Sequence, residues 1–454
     1  MRRPVWILYV FVVGLALHNL VMSELWAAGL RGSALEVVSS WKDALLALGL
    51  VLVLRAHGSL RFHPSLVDWL ALAYAGTLVA YGLLPQRWLG GGATQRGVVL
   101  GVREDILPVA CYFFGRGLAL TRRDLRRLGA VILASACGVA LFGLVDIFAI
   151  PLSWWRNSSG AAGWFSHQLG FNYGRGLSSL PQNFVYNLGN GQPLRRLVST
   201  FLSPLASSYM FVAALLLAAA WRLQRRPPLR IWLPIVALVS AGLLWTHSRS
   251  SYIALALGLT VLAWLRRDAR RGLLLAALSA VVLGFVFVKL YPHLAPATSF
   301  TKAELAQQNA EAHAPGAGPA VNGISDASIE SHWRSLRDGV RQVLDHPQGF
   351  GPGNAGSTAA RTGVEIRAGE STYTQLGVDA GLVGALLFIA WSLALLWRLR
   401  ASSAWLAAAL VAMLALGLQT DIIGVPWLVC VLWPLAGWNV TRATAMAATR
   451  AVRA

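Results

Sequence analysis

Residues 272–291 read GLLLAALSAVVLGFVFVKLY, twenty positions with a single charge. A helix of about 20 apolar residues spans the roughly 30 Å hydrocarbon core of a bilayer. The whole chain shares this character, because 56% of its 454 residues are hydrophobic and only 13% are charged. Such a composition is too apolar for a soluble globular protein. We therefore expect an all-α integral membrane protein.

Apolar runs of similar length recur along the sequence. They lie at 4–22, 43–57, 66–84, 98–120, 128–150, 201–221, 231–247, 251–265, 272–291, 375–397, 403–419 and 422–439. These runs predict about twelve transmembrane helices. The chain would then consist of residues 1–291 with helices 1–9, a large loop at 292–374, and residues 375–454 with helices 10–12 and a tail. We find no internal repeat.

The net charge of +20 would suggest nucleic-acid binding in a soluble chain, but here the basic residues form short blocks between apolar runs. Seven blocks occupy alternate loops: Arg2-Arg3, Arg55 with Arg61, Arg122 to Arg127, Arg222 to Arg230, Arg266 to Arg271, Arg398 with Arg400, and the tail arginines Arg442, Arg450 and Arg453. The positive-inside rule places these blocks and both termini in the cytoplasm. We therefore expect a lipid bilayer, and no nucleic acid, as a partner.

The start of the chain and the three cysteines have simple interpretations in a membrane protein. The basic, apolar start of the chain is similar to a signal peptide, but before so many spans we expect it to remain as the first helix. Cys111, Cys137 and Cys430 all lie in apolar runs and lack metal-ligand spacing, so we interpret them as small core residues.

Two sizeable segments are left on the outer side. Segment 151–200 is rich in tryptophan, asparagine and tyrosine, a mixture that suits sugar recognition and equally an interfacial aromatic belt. In segment 292–374, residues 303–325 lack periodicity and predict a flexible loop. Residues 328–344 then predict an amphipathic helix with Asp326 as its N-cap. The glycines of 349–354 predict a tight turn where the backbone approaches another group closely.

Four short motifs lie beside these outer segments. They are RLVSTFLSP at 196–204, SRSS at 248–251, the stretch from Trp333-Arg334 to HPQGFGPGN at 346–354, and ESTYTQL at 370–376 followed by DAGLVG at 379–384. In order and spacing they resemble the motifs of the O-antigen ligase and polysaccharide polymerase family. Ser199 stands where that family has glycine. The matching motifs cover roughly the C-terminal 60% of the chain.

The resemblance implies a polytopic glycosyltransferase with a GT-C-like fold in the bacterial inner membrane. It would transfer a glycan from an undecaprenyl-diphosphate-linked donor at the periplasmic face, without a cofactor. Lipid A-core ligases of the family carry His-Asn where this chain has Glu370-Ser371. This difference favours a polymerase, whose acceptor is a lipid-linked repeat unit, over a ligase, whose acceptor is lipid A-core. A chain-length regulator would fit a polymerase as a further partner.

The chemistry assigns roles to the charged residues. A diphosphate leaving group needs its growing charge stabilised, and arginine bonds phosphate oxygens bidentately, so we assign Arg196 and Arg249 to the diphosphate. Arg195 is the alternative to Arg196, which would then be the structural neighbour. Glu370 would deprotonate the acceptor hydroxyl in a single inverting displacement. His346 is the rival base, although its position before Pro347 suits a structural helix end.

Further charged and aromatic residues are candidates for substrate contact or for structural roles. Arg334, Arg337 and Arg341 suit anionic substrates or a solvated helix face, and Tyr373 suits substrate contact. Asp421 suits pairing with an arginine better than catalysis. We expect no metal, because two arginines can replace one. A transporter would need ionisable residues through the middle of several helices. Here Glu104, Asp105 and Asp146 are the nearest approach to that pattern.

Overall fold

The computed structural model describes residues 4–56, 64–171, 180–187, 193–302, 327–369 and 371–453. Within these ranges the chain is predominantly helical. The first half contains α1 (Trp6–Ala27), α2 (Gly32–Ser39), α3 (Trp41–Ala56), α4 (Leu66–Leu83), α5 (Gln86–Leu89), α6 (Gln95–Arg116), α7 (Arg122–Ala149), α8 (Leu152–Asn157) and α9 (Ala161–Gly163). The second half contains α10 (Pro204–Arg225), α11 (Leu229–Trp245), α12 (Arg249–Leu265), α13 (Arg270–Leu294), α14 (Ala327–Asp345), α15 (Gly356–Thr362), α16 (Thr372–Ser402), α17 (Ala404–Leu416) and α18 (Pro426–Arg453).

Each predicted apolar run coincides with one of these helices. Seven helical segments of the described chain are long and apolar enough to cross a membrane, and α11, α12 and α17 are shorter apolar helices. These observations confirm an all-α membrane protein, while the number of twelve crossings stays a prediction. Cys111 and Cys430 are buried free thiols, as predicted.

The helix boundaries differ from the predicted runs where polar residues cap a helix. The run predicted at 128–150 begins six residues earlier, at Arg122, because the side chains of Thr121 and Asp124 form a capping box. Their reciprocal bonds satisfy backbone donors that the first turn cannot satisfy itself. Hydropathy cannot detect such a start, because the first turn is basic.

A small β-structure joins two distant outer segments. Strands β1 (Val185–Asn187) and β2 (Pro193–Arg195) pair antiparallel, and Leu194 forms a further bridge with Ala297. The backbone N–H of Arg195 donates to the carbonyl of Pro296 at 2.9 Å. The segment after α13 is therefore held against the segment that precedes α10. Segment 151–200, where we expected aromatic residues in a loop, also contains α8, α9 and a π-helical turn at Trp164–Gln168.

The amphipathic helix predicted at 328–344 is present as α14, which packs on α16. Asp326 and residues 303–325 lie outside the described residues. The glycine turn that follows α14 approaches the protein's own helices. The N–H of Phe350 donates to the carbonyl of Val378 at 2.7 Å, beside a break in α16 where Gly381 has φ +68°. At Gly353, with φ +89°, an added Cβ would lie 2.6 Å from Gly97 of α6. Only glycine combines this φ with so close an approach.

Candidate functional site

The sequence left open whether Arg195 or Arg196 faces a ligand, and the structure separates the two side chains. Arg195 is buried, and its Nη2 lies 2.9 Å from Oδ1 of Asp146 on α7. Its Nη1 donates to the carbonyl of Ile150 at 3.0 Å, and Asp146 also accepts a bond from the indole of Trp155 at 2.6 Å. We call this arrangement the Asp146 ion pair. Arg195 thus balances a buried carboxylate, and its assignment as a substrate contact stays a prediction.

Arg196 points into a different environment. Its Nε donates to the carbonyl of Thr246 at 3.1 Å, in the short connection between α11 and α12. Burial lowers the pKa of Arg196, and the charge of Arg249 acts in the same direction. An arginine stays charged nonetheless. Arg196 and Arg249, assigned separately from two motifs, are therefore brought together.

Arg249 begins α12, and an aromatic side chain from β1 covers it. Its Nη2 donates to the hydroxyl of Tyr186 at 3.1 Å, and its guanidinium carbon lies 5.9 Å from the centre of the same ring. Tyr291, from the end of α13, lies 6.4 Å from Tyr186 between ring centres. The hydroxyl of Tyr291 donates to the carbonyl of Arg195 at 2.5 Å. We call Tyr186, Arg196, His247, Arg249 and Tyr291 the Arg196 cluster.

His247 belongs to this cluster and was missed by the sequence analysis. Its ring lies 4.1 Å from that of Tyr291 and 4.5 Å from that of Tyr186, measured between centres. Burial, followed by the charges of Arg196 and Arg249, lowers the pKa of His247 from 6.5 to about 3. The only signal in the sequence was its position directly before the SRSS motif.

Hydroxyl groups connect the start of α12 to α10. The Oγ atoms of Ser248 and Ser251 lie 2.8 Å apart, and that of Ser208 on α10 lies 2.8 Å from Ser251. The next residue, Tyr209, reaches Thr420 with a 2.5 Å bond between its hydroxyl and the Thr420 hydroxyl. The arginine motif at 248–251 is therefore linked to the connection between α17 and α18.

The same connection holds the start of α16, which immediately follows Glu370. The N–H of Thr372 donates to the carbonyl of Gly417 at 2.9 Å. The hydroxyl of Thr372 donates to the carbonyl of Thr420 at 3.0 Å. Ser371 is buried and donates to Gly417 at 3.1 Å. Glu370 itself lies outside the described residues. The motifs at 248–251 and 370–376 thus lie at one end of the helical bundle, which we call the Arg249 end.

Tyr373 and His346 make their described hydrogen bonds outside the Arg196 cluster. The hydroxyl of Tyr373 donates to the carbonyl of Leu414 at 2.7 Å, so it holds α16 against α17. The Nε2 of His346 lies 3.1 Å from the carbonyl of Leu89, and its ring stacks on Phe350 at 4.0 Å. These contacts suit the structural helix end that we weighed for His346. Three arginines are exposed on α14: Arg334, Arg337 and Arg341.

A group of carboxylates lies near the glycine turn. Glu104 accepts a bond from Thr358 at 2.9 Å, and Asp379 accepts one from the N–H of Asn354 at 3.2 Å. Asp421 accepts bonds from the N–H groups of Ile423 and Gly424, both at 2.9 Å. Burial, followed by the charge of Glu104, raises the pKa of Asp421 well above its usual value. The neighbour that shifts Asp421 is thus an acid, where we expected an arginine.

No group of three metal-ligating side chains is found within the described part of the chain. The carboxylates instead hold the backbone of the glycine turn and of the connection between α17 and α18. The bonds of Glu104 and Asp379 join residues that are far apart in the sequence, so they help to fix the framework of the fold.

The chain was compared with known proteins. Residues 234–389 match a family model described as O-antigen ligase. The match includes His247, Arg249 and α14, whereas Arg195 and Arg196 lie before it. No curated protein matches the chain. Together with the apolar helices, the family match indicates a multi-pass membrane protein and a glycosyltransferase-type enzyme that uses lipid-linked glycans. Over residues 234–389 the chain is thus similar to the O-antigen ligase family.

Proposed function

We propose that this protein is a polysaccharide polymerase of the bacterial inner membrane. It transfers a glycan from an undecaprenyl-diphosphate-linked donor to the hydroxyl of a lipid-linked repeat unit, at the periplasmic face. The observation that carries the proposal is that Arg196 bonds to Thr246, three residues before Arg249, where the charge of Arg249 acts on its pKa. Two guanidiniums from distant parts of the chain provide several fixed donors for the oxygens of a diphosphate.

The reaction needs charge stabilisation and a base. As the acceptor oxygen attacks the anomeric carbon, the bond to the diphosphate breaks and its electron pair passes to a phosphate oxygen. Arg196 and Arg249 stabilise that negative charge. Glu370 takes the proton of the attacking hydroxyl, and the configuration at the anomeric carbon inverts. Since the arginines supply the positive charge, we expect turnover to persist in the presence of a chelator.

A ligase is the second candidate, favoured by the description of the matching family. The polymerase is preferred because Glu370-Ser371 stands where ligases of the family carry His-Asn. The experiment offers purified protein in liposomes either lipid-linked repeat units alone or the same donor with lipid A-core. Chain growth without lipid A-core supports the polymerase, and product formed only with lipid A-core identifies a ligase. Transfer to neither acceptor contradicts both proposals.

The proposal also requires the Arg249 end to face the periplasm. A reporter enzyme fused after Arg127 or Arg271 should report a cytoplasmic position, because both residues end arginine-rich blocks. A reporter inserted between residues 303 and 325 should be active only in the periplasm. A cytoplasmic signal from the second insertion would overturn the sidedness and, with it, the proposed reaction.

A further inference from the structure

His247 is held rigidly in the Arg196 cluster, although neither motif at this end of the bundle includes it. It follows the end of α11 and adopts φ +52°, a left-handed conformation that is uncommon for histidine. Its side chain packs between Tyr186 and Tyr291, and the residue is 5% exposed. The position of the imidazole is thus set by the fold.

The groups around this imidazole come from four elements. They are Tyr186 on β1, Arg196 after β2, Arg249 on α12 and Tyr291 on α13. Both charged members are cations, and together with burial they keep the pKa of His247 at about 3. The imidazole is therefore neutral at neutral pH when the site is empty. Its Nε2 is buried and has no hydrogen-bond partner among the described residues.

A buried polar nitrogen without a partner is uncommon and calls for an explanation. We propose that His247 is a third cationic group of the donor site, which takes up one proton from solvent when a diphosphate binds to Arg196 and Arg249. This inference rests on the proposed function. It names a residue that responds to the donor's charge and does not itself attack the sugar.

The charges around His247 determine whether its pKa rises or falls when a diphosphate binds. In the empty site two guanidiniums oppose an imidazolium. A bound diphosphate diester carries two negative charges and cancels the two positive charges that oppose an imidazolium. The pKa of His247 in the complex is then higher than in the empty site, so binding takes up a proton at pH values between the two. Affinity therefore rises as the pH falls below the pKa of the complex, and levels off below the pKa of the empty site.

The proton on His247 would also favour the transfer reaction. When the bond between the anomeric carbon and the phosphate oxygen breaks, the leaving diphosphate gains one negative charge. An imidazolium beside Arg196 and Arg249 adds one positive charge where that negative charge develops. Fixed charges of this kind favour the transition state over the bound donor. The proton stays on His247 during this step.

The test measures proton uptake by calorimetry. The probe is undecaprenyl methyl diphosphate, because both of its phosphates are diesters and neither titrates near neutral pH. Its binding to the purified full-length protein is followed in two buffers of different ionisation enthalpy, at about pH 6, 7 and 8, the range in which a histidine normally titrates. We expect the proton uptake of the wild type to grow from pH 8 to pH 6 and to approach one proton below the pKa of the complex, where affinity rises up to about tenfold per pH unit on acidification.

The informative variant is His247→Asn, because asparagine tolerates the left-handed backbone conformation. It should bind the probe without proton uptake and with little pH dependence. The matched control is His293→Asn, an exposed histidine two residues beyond Tyr291, which should behave as the wild type. The decisive measurement on the wild type needs no variant, so poor folding of His247→Asn would not obscure it.

The outcomes separate the two proposals. If the probe binds, and Arg196→Lys and Arg249→Lys both weaken it, but the wild type takes up no proton, then the role of His247 is refuted and the proposed function stands. If the probe does not bind, or binds equally well to both lysine variants, then the donor site and the role of His247 are both refuted.

Discussion

Arg195 and Arg196 are consecutive residues, but their side chains lie in two regions with different charged neighbours. In the Asp146 ion pair, Arg195 is 3% exposed and its charge is balanced by a carboxylate 2.9 Å away. In the Arg196 cluster, the described neighbours of Arg196 are a carbonyl, aromatic rings and the guanidinium of Arg249. In the first region the positive charge is paired with a negative one, whereas the second region holds two positive charges.

The opposite end of the bundle repeats the first arrangement. There, Arg116 donates to both carboxylate oxygens of Asp68, at 2.8 Å and 3.0 Å, and Tyr112 donates to the same carboxylate at 2.8 Å. Arg195 and Arg116 are thus each paired with an acid. Like charges placed close together cost stability and tend to mark functional sites. The contrast between Arg195 and Arg196 is consistent with the proposal that the Arg196 cluster binds an anionic ligand.

The largest expected effect concerns Glu370, the proposed base. Glu370→Gln keeps the size and hydrogen bonding of the side chain but cannot accept a proton. Turnover should therefore fall by roughly 10²–10⁴ while the donor still binds, since the guanidiniums are unchanged. Glycan chain formation from purified lipid-linked repeat units measures turnover. Glu370→His should recover part of it, because imidazole can accept the same proton.

His346→Ala is the companion variant, because His346 was the rival base. Full activity in Glu370→Gln together with loss in His346→Ala would transfer the role to His346. Retained activity in both variants would leave the positioning and charge of the arginines as the main source of catalysis.

Conservative changes within the Arg196 cluster should have the next largest effect. Arg196→Lys and Arg249→Lys keep one positive charge but lose the planar fork that bonds two oxygens. Each should lower turnover by roughly 10²–10³, the scale found when a donor to a developing anion is removed. Arg126→Lys is the control, an exposed arginine at the other end of the bundle. Near-normal turnover in either cluster variant would remove that arginine from the donor site.

The sequence predicted most of the fold because membrane helices depend on local composition. Runs of apolar residues identified the helices, and the spacing at 328–344 identified α14 within one residue at either end. The glycine turn at 349–354 was also predicted, since positive φ angles favour glycine. Its neighbours could not be predicted, because α6 and α16 approach it through tertiary packing.

The candidate site was predicted only in part. Arg196 and Arg249 were found through their motifs, but the orientation of Arg195 depends on the pairing of β1 with β2 and on an Asp146 nearly fifty residues earlier. His247 was missed because a single histidine beside a motif carries no periodic signal. Ser199 shows the reverse case. Its φ of +53° explains why glycine suits this position in the related family.

The smallest effect on chemistry, and a large one on stability, should come from the Asp146 ion pair. Asp146→Asn leaves Arg195 buried without a balancing charge, which should cost about 3–5 kcal/mol of folding free energy. Asp146→Leu combined with Arg195→Met removes both charges and should recover most of that loss. Recovery should be incomplete, because the indole N–H of Trp155 would lose its acceptor. Thermal unfolding in detergent measures stability, and turnover per folded molecule measures chemistry. If the double variant folds but loses turnover as severely as Arg196→Lys, the Asp146 ion pair belongs to the donor site and the contrast between the two regions is wrong.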